Sequence, residues 1–182
     1  MKKRILAGVA LLTMVLTAAS CFAQVITVNA YEYPVEADGW YDTMEEVAVY
    51  LETYDALPEN YLTKKEAQNL GWVSSKGNLW DVADGCSIGG DRFGNYEGLL
   101  PEAKNRRWTE CDIDFDGGRR NAKRIVFSND GLIYYTDDHY ESFDEIEVVW
   151  ETQGDTAYAT AQEEEYGTAD LVVDLLKLFL EP

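Results

Sequence analysis

The chain has 182 residues, with 15 lysines and arginines against 34 aspartates and glutamates, a net charge of −19 at pH 7. So acidic a chain argues against general affinity for nucleic acid, which rests on a basic surface, and leaves a local positive cleft as the route to a polyanion. A single histidine in the whole sequence excludes a multi-histidine metal site.

The first elements are those of export. Lys2-Lys3-Arg4, the apolar run from Ile5 to Ala19, and Cys21-Phe22-Ala23 form the three regions of a secretory signal peptide over residues 1–23. The run is too short for a membrane anchor, and Ala18 stands where a lipoprotein signal through Cys21 would carry leucine. Removing residues 1–23 takes away three basic and no acidic side chains, leaving a secreted, extracellular chain of 12 basic against 34 acidic residues, net −22. Residues 47–146 hold 11 of those 12 basic residues, so an anion is expected to bind there. Of the cysteines, Cys86 and Cys111 remain after export. An oxidising compartment favours a disulfide between them, worth roughly 3 kcal/mol on the chain-entropy model; the alternative is two buried thiols.

Residues 24–46 read as an N-terminal extension, an aromatic arm or short strand packed on the domain. From Thr43 the pattern turns helical, with Met44, Val47, Ala48, Leu51 and Tyr54 at spacings of three and four and Asp42 or Thr43 as cap. Leu57 to Tyr61 is a connector. Thr63-Lys64-Lys65-Glu66 is a capping box opening a second helix, which Gly71 closes. Lys64 opposes the helix dipole there. Asn78 is expected to cap a third helix running to Ala83. Ser87 to Phe93 is a strand with a glycine pair that suggests a bulge, and Gly94 to Gly98 is a loop.

Trp108 to Phe115 alternates as a half-buried strand, with Cys111, Ile113 and Phe115 inward and Glu110, Asp112 and Asp114 facing outward. After the Gly117-Gly118 turn, Arg120 and Arg124 are read as pointing the same way on the next strand. Asn129-Asp130-Gly131 turns a hairpin into a strand from Leu132 to Thr136. This leads to Asp137-Asp138-His139-Tyr140, which holds the lone histidine. Ser142 to Ile146 reads as an edge strand. Helices first and antiparallel strands afterwards is the α+β pattern. A carboxylate, two arginines and a histidine on one sheet face suit phosphodiester cleavage. Residues 147–182 form an acidic C-terminal extension of net −8. It ends in a short apolar helix from Ala169 to Leu180, expected either to dock on the domain or to lay acidic charge over the cleft.

Residues 47–146 resemble the barnase-like secreted bacterial ribonucleases. The resemblance is carried by Leu57-Pro58-Glu59-Asn60-Tyr61, Thr63-Lys64, Glu66-Ala67-Gln68, Leu70-Gly71-Trp72-Val73, Ser75-Lys76-Gly77-Asn78-Leu79, Asp81-Val82-Ala83, Ser87-Ile88-Gly89-Gly90-Asp91, Arg120-Asn121, Arg124-Ile125, Leu132-Ile133-Tyr134 and Asp138-His139-Tyr140. It implies three helices packed on a five-stranded antiparallel sheet, with the site across the sheet face. It also implies cleavage of single-stranded RNA 3′ of guanosine without a cofactor, by a monomer whose partner is a barstar-like inhibitor protein.

In that chemistry Glu110 is the base that takes the 2′-hydroxyl proton, and His139 is the acid that protonates the leaving 5′-oxygen. Lys64, Arg120 and Arg124 hold the phosphate oxygens, and Tyr140 adds a hydrogen bond. Phe93, Gly94 and Asn95 offer backbone groups to guanine, Tyr96 stacks on it, and Glu97 accepts its donors. The family usually carries arginine where Tyr96 stands, although the fungal guanyl-specific ribonucleases carry Asn-Tyr-Glu there. The alternative is an inactive ribonuclease-fold module that binds protein, since the chain's charge repels RNA.

Overall fold

The computed structural model describes residues 24–152. The expected signal peptide, residues 1–23, and the expected apolar helix from Ala169 to Leu180 lie outside the described residues. Thr43 caps the first helix, α1 (Met44–Tyr54), and accepts from the Glu46 amide. Asp55 closes it in a left-handed conformation. The capping box of α2 (Lys64–Leu70) is complete, with Thr63 and Glu66 satisfying each other's amides and Gly71 at φ +107° ending the helix. A third, four-residue helix, α3 (Leu79–Val82), follows a 3-10 turn at Ser74–Lys76. Asn78 does not cap α3 as expected. Its side chain turns back, accepting from Val73 N at 2.7 Å and donating to the Gly71 carbonyl at 3.2 Å.

The strands are β1 (Val25–Asn29), β2 (Tyr61–Leu62), β3 (Ser87–Phe93), β4 (Trp108–Asp112), β5 (Arg124–Ser128), β6 (Ile133–Thr136) and β7 (Asp144–Val149). They form one sheet in the order β1-β7-β6-β5-β4-β3-β2. Three helices and an α+β arrangement stand as read, but the sheet has seven strands rather than five. Strands β3 to β7 are the antiparallel five. The N-terminal extension adds β1 in parallel to β7, so β7 is no edge strand. The connector adds β2 in parallel to β3. Arg120 also departs from its expected place, since it lies in the loop before β5.

The apolar stripe of α1 packs on one sheet face. Val47, Ala48 and Leu51 meet Val28, Cys111, Ile113, Ile125, Ile133 and Ile146 in one buried cluster. A second cluster joins Ala67, Trp72 and Leu79 to Ile88 and Phe115. The opposite face carries a third, of Leu100, Trp108, Val126, Tyr134 and Phe143. The extension contributes to the first through Val28, 3 % exposed. Val28→Ala should therefore cost about 2 kcal/mol, from lost transfer energy plus the cavity left behind. Thermal melting of the variant checks this, and an unchanged midpoint would show that the arm adds nothing to the core.

The expected disulfide is not formed; Cys86 and Cys111 are both free. Register explains it. Cys111 sits opposite Gly89, three residues beyond Cys86, which at about 3.3 Å per residue puts the pair roughly 10 Å apart along the strand. That exceeds the reach of a disulfide. Burial raises the Cys111 thiol pKa and keeps it a core group.

Candidate active site

The face opposite α1 becomes polar toward one end of β4. Glu110 and Asp112 project from β4 beside Asp91 on β3 and Val126 and Arg124 on β5. They lie on the face opposite the α1 core but do not face solvent as expected, because Lys64, Tyr140 and the arginines cover them: Glu110 is 7 % exposed and Asp112 1 %. A buried charge must be paired, and each is. Lys64, the first residue of α2, donates from Nζ to Glu110 Oε1 at 2.5 Å, and its backbone amide donates to Asp91 Oδ2 at 2.8 Å. The capping box and Asp91 thus fix the start of α2 over β3. The lysine that opposes the helix dipole is held there by a carboxylate partner. Tyr140 Oη donates to Glu110 Oε2 at 2.5 Å.

Asp112 binds two arginines. Arg120 makes a two-point contact, Nε to Oδ2 at 2.6 Å and Nη2 to Oδ1 at 2.5 Å. Arg124 Nε lies 2.9 Å from Asp112 Oδ1. That N–H is not aimed at the oxygen and makes no hydrogen bond, so the contact is Coulombic. Arg124 Nη1 instead donates to the Lys123 carbonyl and to Asn121 Oδ1.

These partners set the protonation states. Burial pushes the Glu110 carboxyl up, but hydrogen bonds from Lys64 and Tyr140, with the charges of Lys64 and Arg120, outweigh it and hold the carboxyl below its ordinary value. Glu110 is therefore a carboxylate with room to accept a proton. Burial and the bond to Glu110 raise the Tyr140 phenol, which stays a donor. For Arg120, burial opposes the charge, and the Asp112 bond more than offsets it.

Beside this pair of carboxylates opens a cleft of about 590 Å³ lined by Ser74, Ser75, Arg119, Arg120, Asn121, Arg124 and His139. A bridge between Asn78 and Gly118 joins the two segments that bring Ser74, Ser75 and Arg119 to it. Gly77 makes the approach possible: it sits at φ +64°, and a Cβ there would lie 2.6 Å from the Gly118 carbonyl carbon. Arg119, Asn121 and the two serines were not singled out from sequence, and neither was Asp112 as an arginine anchor. The signal for Asp112 was present, since the alternation of β4 puts it on the same face as Glu110. The lining of the cleft carries Arg119, Arg120 and Arg124 and no carboxylate, so it is locally positive in an acidic protein.

Aromatic rings continue the face away from the arginines. Phe93 lies 5.2 Å from Tyr140 and 6.0 Å from Phe143, centre to centre, and His139 lies 4.9 Å from Tyr140. The loop after Phe93 is tied by Asn95, which is buried, at φ +44°. Its side chain donates to the Leu100 carbonyl at 2.9 Å and accepts the Leu100 amide at 3.0 Å. Asn95 is thus a strut, leaving its neighbours' backbone groups to meet a ligand. Tyr96 is 94 % exposed, with its ring packed against Gly94, and Glu97 is exposed. A base-sized space of about 200 Å³ beside Phe93, Gly94, Asn95 and Trp108 is rimmed by Arg92, Arg106 and Arg107.

A buried carboxylate bonded to Lys64 and Tyr140, and a cationic cleft lined by His139 and flanked by an aromatic platform, suit an enzyme that works on phosphodiesters. The family model for ribonucleases matches residues 44–147, and the chain belongs to that family. A ribonuclease of Heyndrickxia coagulans is 57 % identical over 102 residues, 56 % of this chain and 94 % of that one. A ribonuclease of Bacillus intermedius is 56 % identical over 105 residues, 58 % of this chain and 65 % of its own length. The guanyl-specific ribonuclease St of Saccharopolyspora erythraea is 40 % identical over 55 residues, 30 % of this chain and 54 % of that protein. The matched segment starts at α1 and ends within β7, so β1 and its arm are an addition outside it.

Proposed function

We propose that the chain is a secreted endoribonuclease that cleaves single-stranded RNA 3′ of guanosine by metal-independent transesterification. The observation that carries this is Glu110: buried, yet held as a carboxylate by Lys64 and Tyr140 at the rim of a cleft lined by His139 and arginines. Glu110 takes the proton of the 2′-hydroxyl as that oxygen attacks phosphorus. His139 gives its proton to the departing 5′-oxygen, leaving a 2′,3′-cyclic phosphate. With the roles exchanged, His139 deprotonates water and Glu110 returns its proton to the 2′-oxygen, which opens the ring. Arg120, with Lys64 and Arg124 behind it, balances the charge that gathers on the phosphoryl oxygens. Arg124 is almost fully buried and acts mainly by its field and by setting Asp112. A barstar-like inhibitor would set its carboxylates against the arginines of the same cleft. Cleavage of a guanosine dinucleotide, with a cyclic-phosphate product that accumulates and then disappears, tests the scheme. No cleavage would leave only the binding-module reading.

Guanine preference is supported by Glu97, an exposed carboxylate in the tied loop beside the aromatic platform, and by the likeness to the guanyl-specific ribonuclease St. Guanine presents two adjacent donors that one carboxylate can accept, and adenine does not. Glu97→Ala should therefore lose most of the discrimination between guanosine and adenosine 5′ of the cut, measured as the ratio of kcat/KM for the two dinucleotides. A ratio equal to wild type would assign the reading to another group.

A further inference from the structure

Between β6 and β7 the chain makes a tight turn in which both His139 and Tyr140 have left-handed backbones, φ +62° and +76°. Two successive non-glycine residues in that region are strained and persist only where the surroundings hold them. One side chain does most of the holding. Asp138 Oδ1 accepts from Thr136 Oγ1 at 2.7 Å, from Glu141 N at 2.9 Å and from Ser142 N at 3.0 Å, and Oδ2 accepts from Ser142 Oγ at 2.6 Å. Because the Thr136 hydroxyl gives its proton to Asp138, its oxygen is free to accept the Tyr140 amide, at 3.1 Å. The chain of bonds then passes through the Tyr140 ring to Glu110 Oε2.

We propose that Asp138 is a positioning residue for the acid–base pair: its carboxylate fixes the turn that sets His139 at the cleft and Tyr140 on Glu110. This rests on the reaction proposed above. Asp138 touches none of the reacting atoms. It joins the two halves of the mechanism, because the residue that carries the acid and the residue that orients the base are neighbours on one turn. The Ser142 hydroxyl, with the other donors, holds the Asp138 carboxyl down to about 2, so the acceptor is charged wherever the enzyme works. Small displacements of a catalytic group cost rate steeply, whereas Arg120 and the loop after Phe93 are held by bonds outside this turn, to Asp112 and between Asn95 and Leu100.

The test is a kcat and KM measurement on a guanosine dinucleotide with the full chain and Asp138→Ala, Asp138→Asn and Thr136→Val. Asp138→Ala should lower kcat about 10- to 100-fold with KM changed by no more than about twofold. Asp138→Asn keeps the oxygen that accepts from Thr136 and the two amides, and should recover most of the rate. The lone histidine gives an unambiguous NMR reporter, and its ring signals should broaden or shift in Asp138→Ala but stay near wild type in Asp138→Asn. Thr136→Val, which breaks the same network one bond further on, should be less than additive with Asp138→Ala. If Asp138→Ala does not fold, Thr136→Val and Asp138→Asn carry the test alone. A lower melting temperature with unchanged kcat in Asp138→Ala, or in Thr136→Val where Asp138→Ala does not fold, would make Asp138 merely structural and overturn the proposal. Glu110→Gln run in parallel separates the two readings: if it too leaves kcat unchanged, the reaction scheme itself has failed.

Discussion

Glu110→Gln should lower turnover of a guanosine dinucleotide by a factor of about 10² or more, and His139→Ala should do the same, with both proteins folded. The amide can keep both neighbours. Its oxygen can accept from Lys64 Nζ, and its nitrogen can donate to Tyr140 Oη once the phenol hydrogen rotates away. What it cannot do is take a proton. The pH profile tests the same group from another side. The active form is the carboxylate, and its neighbours hold its pKa below the ordinary 4.5, so activity on the acid side should persist below that pH before it falls. Lys64→Met removes the strongest of those neighbours and should move the acid limb upward. Chelators should leave the rate unchanged, because the cations of the mechanism are side chains. An unshifted acid limb in Lys64→Met, or full activity in His139→Ala, would reject the assignment.

Local signals in the sequence were read correctly where the physics is local. The Thr63–Glu66 capping box and Gly71 stop depend on residues within one helix, and both form as spaced. The alternation of β4 also gave the right face to Glu110. Asn78 misled because the same side chain can cap the helix that follows or bridge to the turn before it, and Gly71 and Val73 supply better partners. The extra strands were out of reach for a different reason. β1 finds its partner about 120 residues away, and β2 is a pairing of two residues, too short to show any period. The cysteine pair was inferred from compartment, yet a disulfide is decided by register, and Cys111 faces Gly89. Asp112 shows the remaining gap. Alternation says which face a side chain takes but not what it meets there, and the two arginines that meet it come from a loop and a neighbouring strand.

Asp112→Ala should produce the largest loss of stability among single substitutions at the site, on the order of 3–5 kcal/mol. Asp112 is 1 % exposed and Arg124 2 %. Without the carboxylate, Arg124 keeps its bonds to Asn121 and the Lys123 carbonyl but remains a buried cation with no anion. Arg120 loses a two-point partner and is drawn toward Glu110, the next carboxylate on the same face. At several degrees per kcal/mol for a domain of this size, the melting temperature should fall by roughly 10 °C or more. Asp112→Asn separates charge from shape: it retains an acceptor for Arg120 but not the charge, so most of the loss should remain. Arg120→Ala is the control, because it leaves Asp112 still facing Arg124, and it should cost less stability than Asp112→Ala while costing more activity. The reverse order, with Arg120→Ala the more destabilising, would mean that the Arg120–Asp112 pair rather than the buried Arg124 charge carries the stability of this corner of the sheet.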